Sequence, residues 1–194
     1  LMTGAIDWVW DVPKDEAERM MRAPNLTIEN AKTLRFSYVI FDATGRSPDK
    51  RFMDKRVRQA VAHAINRKSL VDNLIGAPSQ VIHSPCHPDQ FGCSENVTKY
   101  DYNPDKAKKL LAEAGHPNGF EFDLHAYRER HVTEAVIGDL VRVGLKPRLV
   151  YLQYGSLIQA IHKGQVAVAN LTWGSSSIPD VSASTGHFFM GSPD

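Results

Sequence analysis

The chain has 194 residues, 42% of them hydrophobic and 23% charged, the mix of an ordinary soluble globular protein. That composition excludes a disordered tail, a collagen-like rod and a membrane bundle, and no apolar run approaches the roughly 18 residues a spanning helix needs. Lysine plus arginine numbers 23 against 22 acidic residues, so at +1 there is no one-signed field to attract nucleic acid or an anionic membrane.

The sequence opens on Leu1 with no basic segment followed by an apolar one, and reads as a processed chain or an internal piece of something larger. Residues 3–12 (TGAIDWVWDV) read as a strand or extended segment. Pro13 then suits a first helical position, with Asp15, Glu16 and Glu18 placed to favour the helix dipole. Leu34, Phe36, Tyr38 and Ile40 alternate with Arg35, Ser37, Val39 and Phe41, which predicts a strand with one strongly apolar face, buried on both sides near its end. Asp54 caps a helix whose stripe is Val57, Ala60, Val61, Ala64 and Ile65. Asn66 caps a second segment carrying Leu70, Val71 and Leu74, stopped by Gly76. Asn103-Pro104 is an N-cap and first helical residue; Ala107, Leu110, Leu111 and Ala114 form the stripe, and Gly115 closes the helix. Val132, Ala135, Val136, Leu140 and Val143 mark another helix, ending at Gly144. A strand over Arg148–Tyr154, a short helix over Ser156–Lys163 and a last strand over Ala167–Trp173 follow. Strands separated by helices of this length predict an α/β fold with partly parallel pairing. Residues 174–194, rich in Ser, Gly and Pro, carry no core pattern and read as an unfinished tail.

The most specific local feature is His83-Ser-Pro-Cys86-His87-Pro-Asp-Gln-Phe-Gly-Cys93, which holds both cysteines of the chain. A disulfide is the first reading and implies an oxidising compartment. Zinc ligation by His83, Cys86, His87 and Cys93 is an alternative whose spacing departs from the common structural patterns, and two free buried thiols are another. His125 with Glu129, Arg130 and His131 invites an acid–base reading, but no nucleophile motif accompanies them, and a solvated loop or helix start is preferred. Asp42-Ala-Thr-Gly45-Arg46 has too few glycines for a phosphate cradle. Asn25, Asn96 and Asn170 head three glycosylation-type triplets of little weight. Lys55, Arg56, Arg58, Arg67 and Lys68 form a basic run without interleaved aromatics, the pattern of a solvated face. Trp173, at the carboxyl end of a strand and followed by Gly174 and Ser175-Ser176-Ser177, reads equally as a wall of a ligand cleft or as a core residue beside a surface loop.

Four stretches together resemble one family: Arg51-Phe-Met-Asp54-Lys-Arg56-Val-Arg58-Gln-Ala60-Val-Ala-His-Ala64-Ile-Asn66-Arg67; Tyr100-Asp-Tyr-Asn103-Pro104-Asp-Lys-Ala107-Lys-Lys-Leu110-Leu-Ala-Glu-Ala114-Gly115; His116-Pro-Asn-Gly119-Phe120; and Ala169-Asn-Leu-Thr-Trp173-Gly. The chain is similar in these, from about Gly4 to its last residue, to the extracellular solute-binding proteins of family five, the dipeptide, oligopeptide and nickel-binding group of ABC transporters. Asn66 stands where the family's Ile-Asp-Arg ending has its aspartate. The Cys86–Cys93 loop also resembles a disulfide loop found in a subset of members.

The resemblance implies an α/β fold: one lobe of a type II periplasmic-binding-protein fold, with a mixed sheet flanked by helices. It implies that residues 1–194 are a single ligand-binding lobe of a larger two-lobe receptor, with 1–30 and 174–194 peripheral or leading to the other lobe. It further implies a periplasmic, non-enzymatic substrate-binding component that captures a peptide-like or other small solute and delivers it to a membrane permease. No cofactor, metal, catalytic residue or nucleic-acid partner is expected, and an isolated lobe would be a monomer or weak dimer. Trp173, Gly174, Ser175 and Ser176 are the expected ligand-contacting residues. In peptide-binding members an aspartate three residues after the tryptophan holds the peptide's amino terminus; Ser176 stands at that position, and Asp180 resembles a later, structural aspartate of the same loop. The alternative function is a piece of an α/β enzyme whose catalytic residues lie elsewhere, with His125 and His131 as participants.

Overall fold

The computed structural model describes residues 1, 3–10, 12, 14–31, 33–174 and 178–189. They form two compact units, residues 1–32 with 68–81, and residues 33–67 with 82–194. In the first unit, helix α1 (Lys14–Met20) carries Asp15 and Glu16 in its first turn, as the dipole argument expects. Of the two readings of 3–12, strand or extended segment, the strand does not form among the described residues. Trp8 and Trp10 are 74% and 68% exposed, so the apolar content that suggested a strand makes no sheet. A π-helical turn, Val71–Ile75, ends at Gly76, whose positive φ of 82° only glycine adopts readily.

The second unit is built on a four-stranded sheet. Its strands are β1 (Arg35–Phe41), β2 (Glu121–Ala126), β3 (Lys146–Tyr151) and β4 (Val168–Gly174), in the order β1-β4-β2-β3. β4 runs antiparallel to β1 and parallel to β2, and β2 runs parallel to β3, so the sheet is mixed. Helix α2 (Lys55–Ala64) is capped by the Asp54 carboxylate, which accepts from the Arg56 N–H at 2.8 Å, and buries Val57, Ala60, Val61, Ala64 and Ile65. The Asn66 backbone N–H donates to the buried Asp139 carboxylate at 2.9 Å; the short α3 (Arg67–Leu70) that follows has its last three residues in the first unit. In α4 (Pro104–Glu113) the Asn103 side chain accepts from the Lys106 N–H at 2.9 Å, and Ala107 and Leu111 are buried. α5 (Arg130–Arg142) buries Val132, Val136 and Leu140.

Antiparallel pairing sorts β1 and β4 into two faces. Ser37, Val39 and Phe41 share one with Thr172, Asn170 and Val168, and Phe36, Tyr38 and Ile40 share the other with Trp173, Leu171 and Ala169. α5 covers the first face: the Asn170 amide donates to Thr133 Oγ1 at 2.8 Å. This pairing, with Asn170 only 6% exposed, shields the nitrogen of that glycosylation-type triplet. Beside it, Phe52 of the 3₁₀ turn Lys50–Met53 packs with its ring centroid 5.8 Å from Phe41, 5.7 Å from Phe120 and 5.1 Å from Phe122. α6 (Tyr154–His162) covers the second face, packing Leu157 on Val166, Ala169 and Leu171, with Tyr38, Ile40 and Ile161 around them.

No predicted strand covers β2, β4 lies one residue later than expected, and the boundaries of β3 and α6 also differ. β3 begins at Lys146, two residues early, and ends at Tyr151, so Tyr154 opens α6 instead of closing the strand. The cause is non-local. Lys146 N–H donates to Phe120 O at 2.9 Å, where the turns before β2 and β3 touch so closely that a Cβ on Gly119 would lie 1.9 Å from Gly144 O. Pro147 is tolerated because β3 is an edge strand. The tail, which shows no core pattern in sequence, contains α7 (Ser182–Phe189), with Ser184 fully buried.

The Asp42–Ser47 loop is closed by a carboxylate of its own. Asp42 accepts from Thr44 Oγ1 at 2.9 Å, from Gly45 N–H at 3.0 Å and from Ser47 N–H, so these donors are already engaged. Burial pushes this carboxyl up, but the hydrogen bonds from Ser47 and Thr44 outweigh it and hold the group well below the usual carboxylate range. A depressed folded-state pKa gives stability that is complete above the unfolded value of about 3.9 and is lost as pH falls through the folded one. Urea midpoints should therefore stay level for this group from pH 7 to about 5 and fall below about 4. In Asp42→Asn the acid-side fall should be shallower, and an identical fall in both proteins would show that Asp42 does not contribute.

Candidate functional site

Parallel strands β2, β3 and β4 end on the same side of the sheet, and three aromatic residues stand there. Tyr127 directly follows β2, Tyr154 begins α6 three residues after β3, and Trp173 is the penultimate residue of β4. The Tyr127 hydroxyl donates to Thr172 O at 3.3 Å, tying it to the residue before Trp173. The Tyr127 and Tyr154 rings lie 5.0 Å apart at 54°, and Tyr154 is 57% exposed. Phe36 sits opposite Trp173 in the ladder, with its ring 5.7 Å from that of Tyr38. Burial, then the neighbouring Tyr127 and Tyr154, push the Tyr38 phenol far above its ordinary value, so it stays protonated. Gly174 pairs with Arg35, and a Cβ there would meet the arginine Nε at 3.9 Å. Together these groups make an apolar, partly open wall with hydroxyl rims, suited to flat or apolar surface of a small molecule.

Of the expected contact residues, Trp173 and Gly174 lie in this wall, while Ser175 and Ser176 fall outside the described residues. Tyr127 and Tyr154 were missed. Tyr127 had no pattern to mark it, and Tyr154 was read as the end of a strand. Asp180 has a structural part: its Oδ1 accepts from Ser182 N–H at 2.8 Å at the start of α7, and the Ser182 hydrogen bonds hold its carboxyl below the usual range.

Cys86 and Cys93 form a disulfide, with their Cα atoms 5.9 Å apart. Both sulfurs are thereby withdrawn from the zinc alternative at His83, Cys86, His87 and Cys93. Among the described residues no group of three or more His, Cys, Asp or Glu side chains is arranged to hold a metal ion.

The acid–base residues do not converge. His125 lies inside β2, where burial pushes its imidazole below the ordinary value. Glu129 occupies the N-cap of α5 at φ 48°, and Arg130 pairs with Glu134 at 2.8 Å. His125 instead lines an open concavity of about 730 Å³ at the amino-terminal ends of the parallel strands, away from Trp173. Four of its charged side chains form two pairs: Arg51 binds Asp49 through two 2.7 Å contacts, and Arg148 binds Asp123 at 2.8 and 2.9 Å. Ion pairs that satisfy each other have little left to recognise a ligand, so the aromatic wall is the better candidate. In the basic run, Arg56 pairs with Asp54, and Arg58 donates to the carbonyls of Phe52 and Met53 at 2.7 and 2.8 Å.

The sequence profile of "Bacterial extracellular solute-binding proteins, family 5 Middle" matches residues 1–193. The chain is 25% identical over 189 residues to heme-binding protein A of Haemophilus influenzae, covering 93% of this chain and 34% of that protein. It is 26% identical over 177 residues to the dipeptide-binding protein of Escherichia coli, covering 87% and 32%. The chain thus spans about a third of the length of these relatives. In fold it is similar to the periplasmic binding protein DppA of Helicobacter pylori solved with the peptide STSA. That likeness has a TM-score of 0.79 at 24% identity and covers 88% of this chain and 33% of that one. Among the described residues no helix is long and apolar enough to cross a membrane.

Proposed function

We propose, from the premise that the chain belongs to the bacterial extracellular solute-binding proteins of family 5, that it serves as part of the substrate-binding component of an ABC-type importer. Its mixed sheet flanked by helices is the fold of the type II periplasmic binding proteins. In this reading the protein works in the periplasm without catalysing a reaction, captures a peptide-like or other small solute, and hands it to a membrane permease. Residues 1–194 contribute one wall of the cleft in a receptor whose other lobe closes over the solute. The family match over 1–193 carries the reading, and the aromatic wall at the strand ends supports the place of binding.

Trp173 stacks on the solute, with Gly174, Ser175 and Ser176 giving polar contacts beside it and Tyr127 and Tyr154 extending the surface. A serine at 176 cannot neutralise an ammonium group, so peptides with a free amino terminus are disfavoured against solutes that lack one there.

The test is a thermal-shift screen of the intact receptor against free-amine dipeptides, glutathione, hemin, opines, sugars and nickel complexes. At least one class should raise the melting temperature, and Trp173→Ala should weaken its binding roughly tenfold, the order expected for a lost aromatic stack. If no class stabilises the receptor, the reading fails. Stabilisation greatest with free-amine dipeptides would defeat the argument from Ser176 alone.

A further inference from the structure

The chain that leaves the aromatic wall after Gly174 is held, from Ile178 onward, by the disulfide-closed loop. Phe91 N–H donates to Pro179 O at 2.7 Å, and Val181 N–H returns a bond to Phe91 O at 3.0 Å. This single bridge lies outside the four strands. Between its flanking cysteines, Gln90 is only 3% exposed. Its Oε1 accepts from His87 N–H at 2.9 Å, and its Nε2 donates to Ile178 O and Asp180 O, each at 3.2 Å. Of the four hydrogen-bonding positions of this amide, three are filled, including both donors. Gly92 packs so tightly that an added Cβ would sit 3.0 Å from Val181 Cγ1. At the base of the loop the Ser84 hydroxyl donates to Ser94 O beside the disulfide.

These contacts go well beyond what a surface loop needs for its own closure. Both donors of a buried amide are spent on two carbonyls of one distant segment, and that segment then starts α7 through Asp180 and Ser182. We infer that Gln90 is a positioning residue for the solute site: the Cys86–Cys93 loop fixes Ile178–Val181, which in sequence follow closely on Trp173 and Gly174 at the end of β4. The inference rests on the solute site proposed above. The disulfide keeps the loop short and rigid, so the bond positions at Gln90 and Phe91 are prepared before any solute arrives, and affinity depends on that preparation.

The isosteric Gln90→Glu separates positioning from bulk. A carboxylate keeps the shape and the acceptor for His87 N–H but loses both donors and faces two carbonyl oxygens. Gln90→Met keeps volume without any polar contact. In the intact receptor, at a temperature well below the melting point of each variant, backbone amide exchange over 178–182 should rise roughly tenfold in both, with α4 unchanged. Affinity for whichever of free-amine dipeptides, glutathione, hemin, opines, sugars and nickel complexes binds the wild type best should fall by a similar factor. Unchanged exchange, or raised exchange with unchanged affinity, would overturn the role of Gln90 while leaving the solute-binding reading intact. A wild type that binds none of these classes removes the site and, with it, this role.

Discussion

Replacing Phe52 by alanine should cost about 3–5 kcal/mol of stability, the range for a fully buried phenylalanine. The ring is 0% exposed and lies within 6 Å, centroid to centroid, of Phe41, Phe120 and Phe122. Phe41 comes from the end of β1, Phe120 from the turn before β2 and Phe122 from β2 itself, while Phe52 sits on the short 3₁₀ turn that leads into α2. One side chain therefore joins an outer strand, an inner strand and a helix start. Removing it leaves a void that three aromatic rings, each fixed to different backbone, cannot fill together. At roughly 2–4 °C per kcal/mol for a chain of this size, the melting temperature should fall by about 10 °C. Phe52→Leu, which keeps most of the volume, should lose much less. Equilibrium urea unfolding gives the comparison directly. A cost below about 1 kcal/mol for the alanine variant would mean that the four rings do not form a packed core.

The second large effect is expected at Cys86 and Cys93. Closing a loop of this length restricts the unfolded chain by about 2.5 kcal/mol on the loop-entropy estimate, and Cys86→Ala with Cys93→Ala should lose that amount. The loss should show in urea midpoints under non-reducing conditions and vanish when wild type and variant are compared in excess dithiothreitol. Thiol titration of the denatured, unreduced wild type should find no reactive group. Two titrating thiols would remove the cross-link and the argument built on it. The cost reaches beyond the loop itself, because Gln90 and Phe91, which hold Ile178–Val181, lie inside it.

How much of this could be read from the residues follows from how local each signal is. The caps at Asp54 and Asn103, the stripes of α2, α4 and α5 and the turn glycines Gly76, Gly115 and Gly144 depend on near neighbours, and all were legible. The start of β3 was not, because it is set by the close passage of Gly119 and Gly144, residues far apart in sequence. α7 was invisible for a similar reason: Ser182–Phe189 has no apolar period, and the helix is started by Asp180 in a segment gripped by Gln90. For the stretch 3–12 only the strand alternative fails, since tryptophan and valine content implies a strand only when a partner strand exists, and Trp8 and Trp10 stand exposed. At the candidate site, Trp173 was marked by its place at a strand end. Tyr127 and Tyr154 come from two other strand ends and meet only when the sheet forms, so no window of sequence holds them together.

The strand order has a temporal meaning. β4 is made last of the four, yet it lies between β1 and β2 and supplies every hydrogen bond that ties β1 to the sheet. Ser37 and Asn170, which touch across that ladder, are 133 residues apart. As the chain emerges from the ribosome, β2, α5 and β3 can associate early, but β1 must wait with both edges bare until β4 arrives. Such distant pairings slow folding, because a large loop must close before any contact rewards it. The wait ends in a single insertion that joins the strand of Phe36 to the strand of Trp173. The two sides of the aromatic wall, Phe36 on β1 and Trp173 on β4, are thus brought side by side only when β4 pairs with β1.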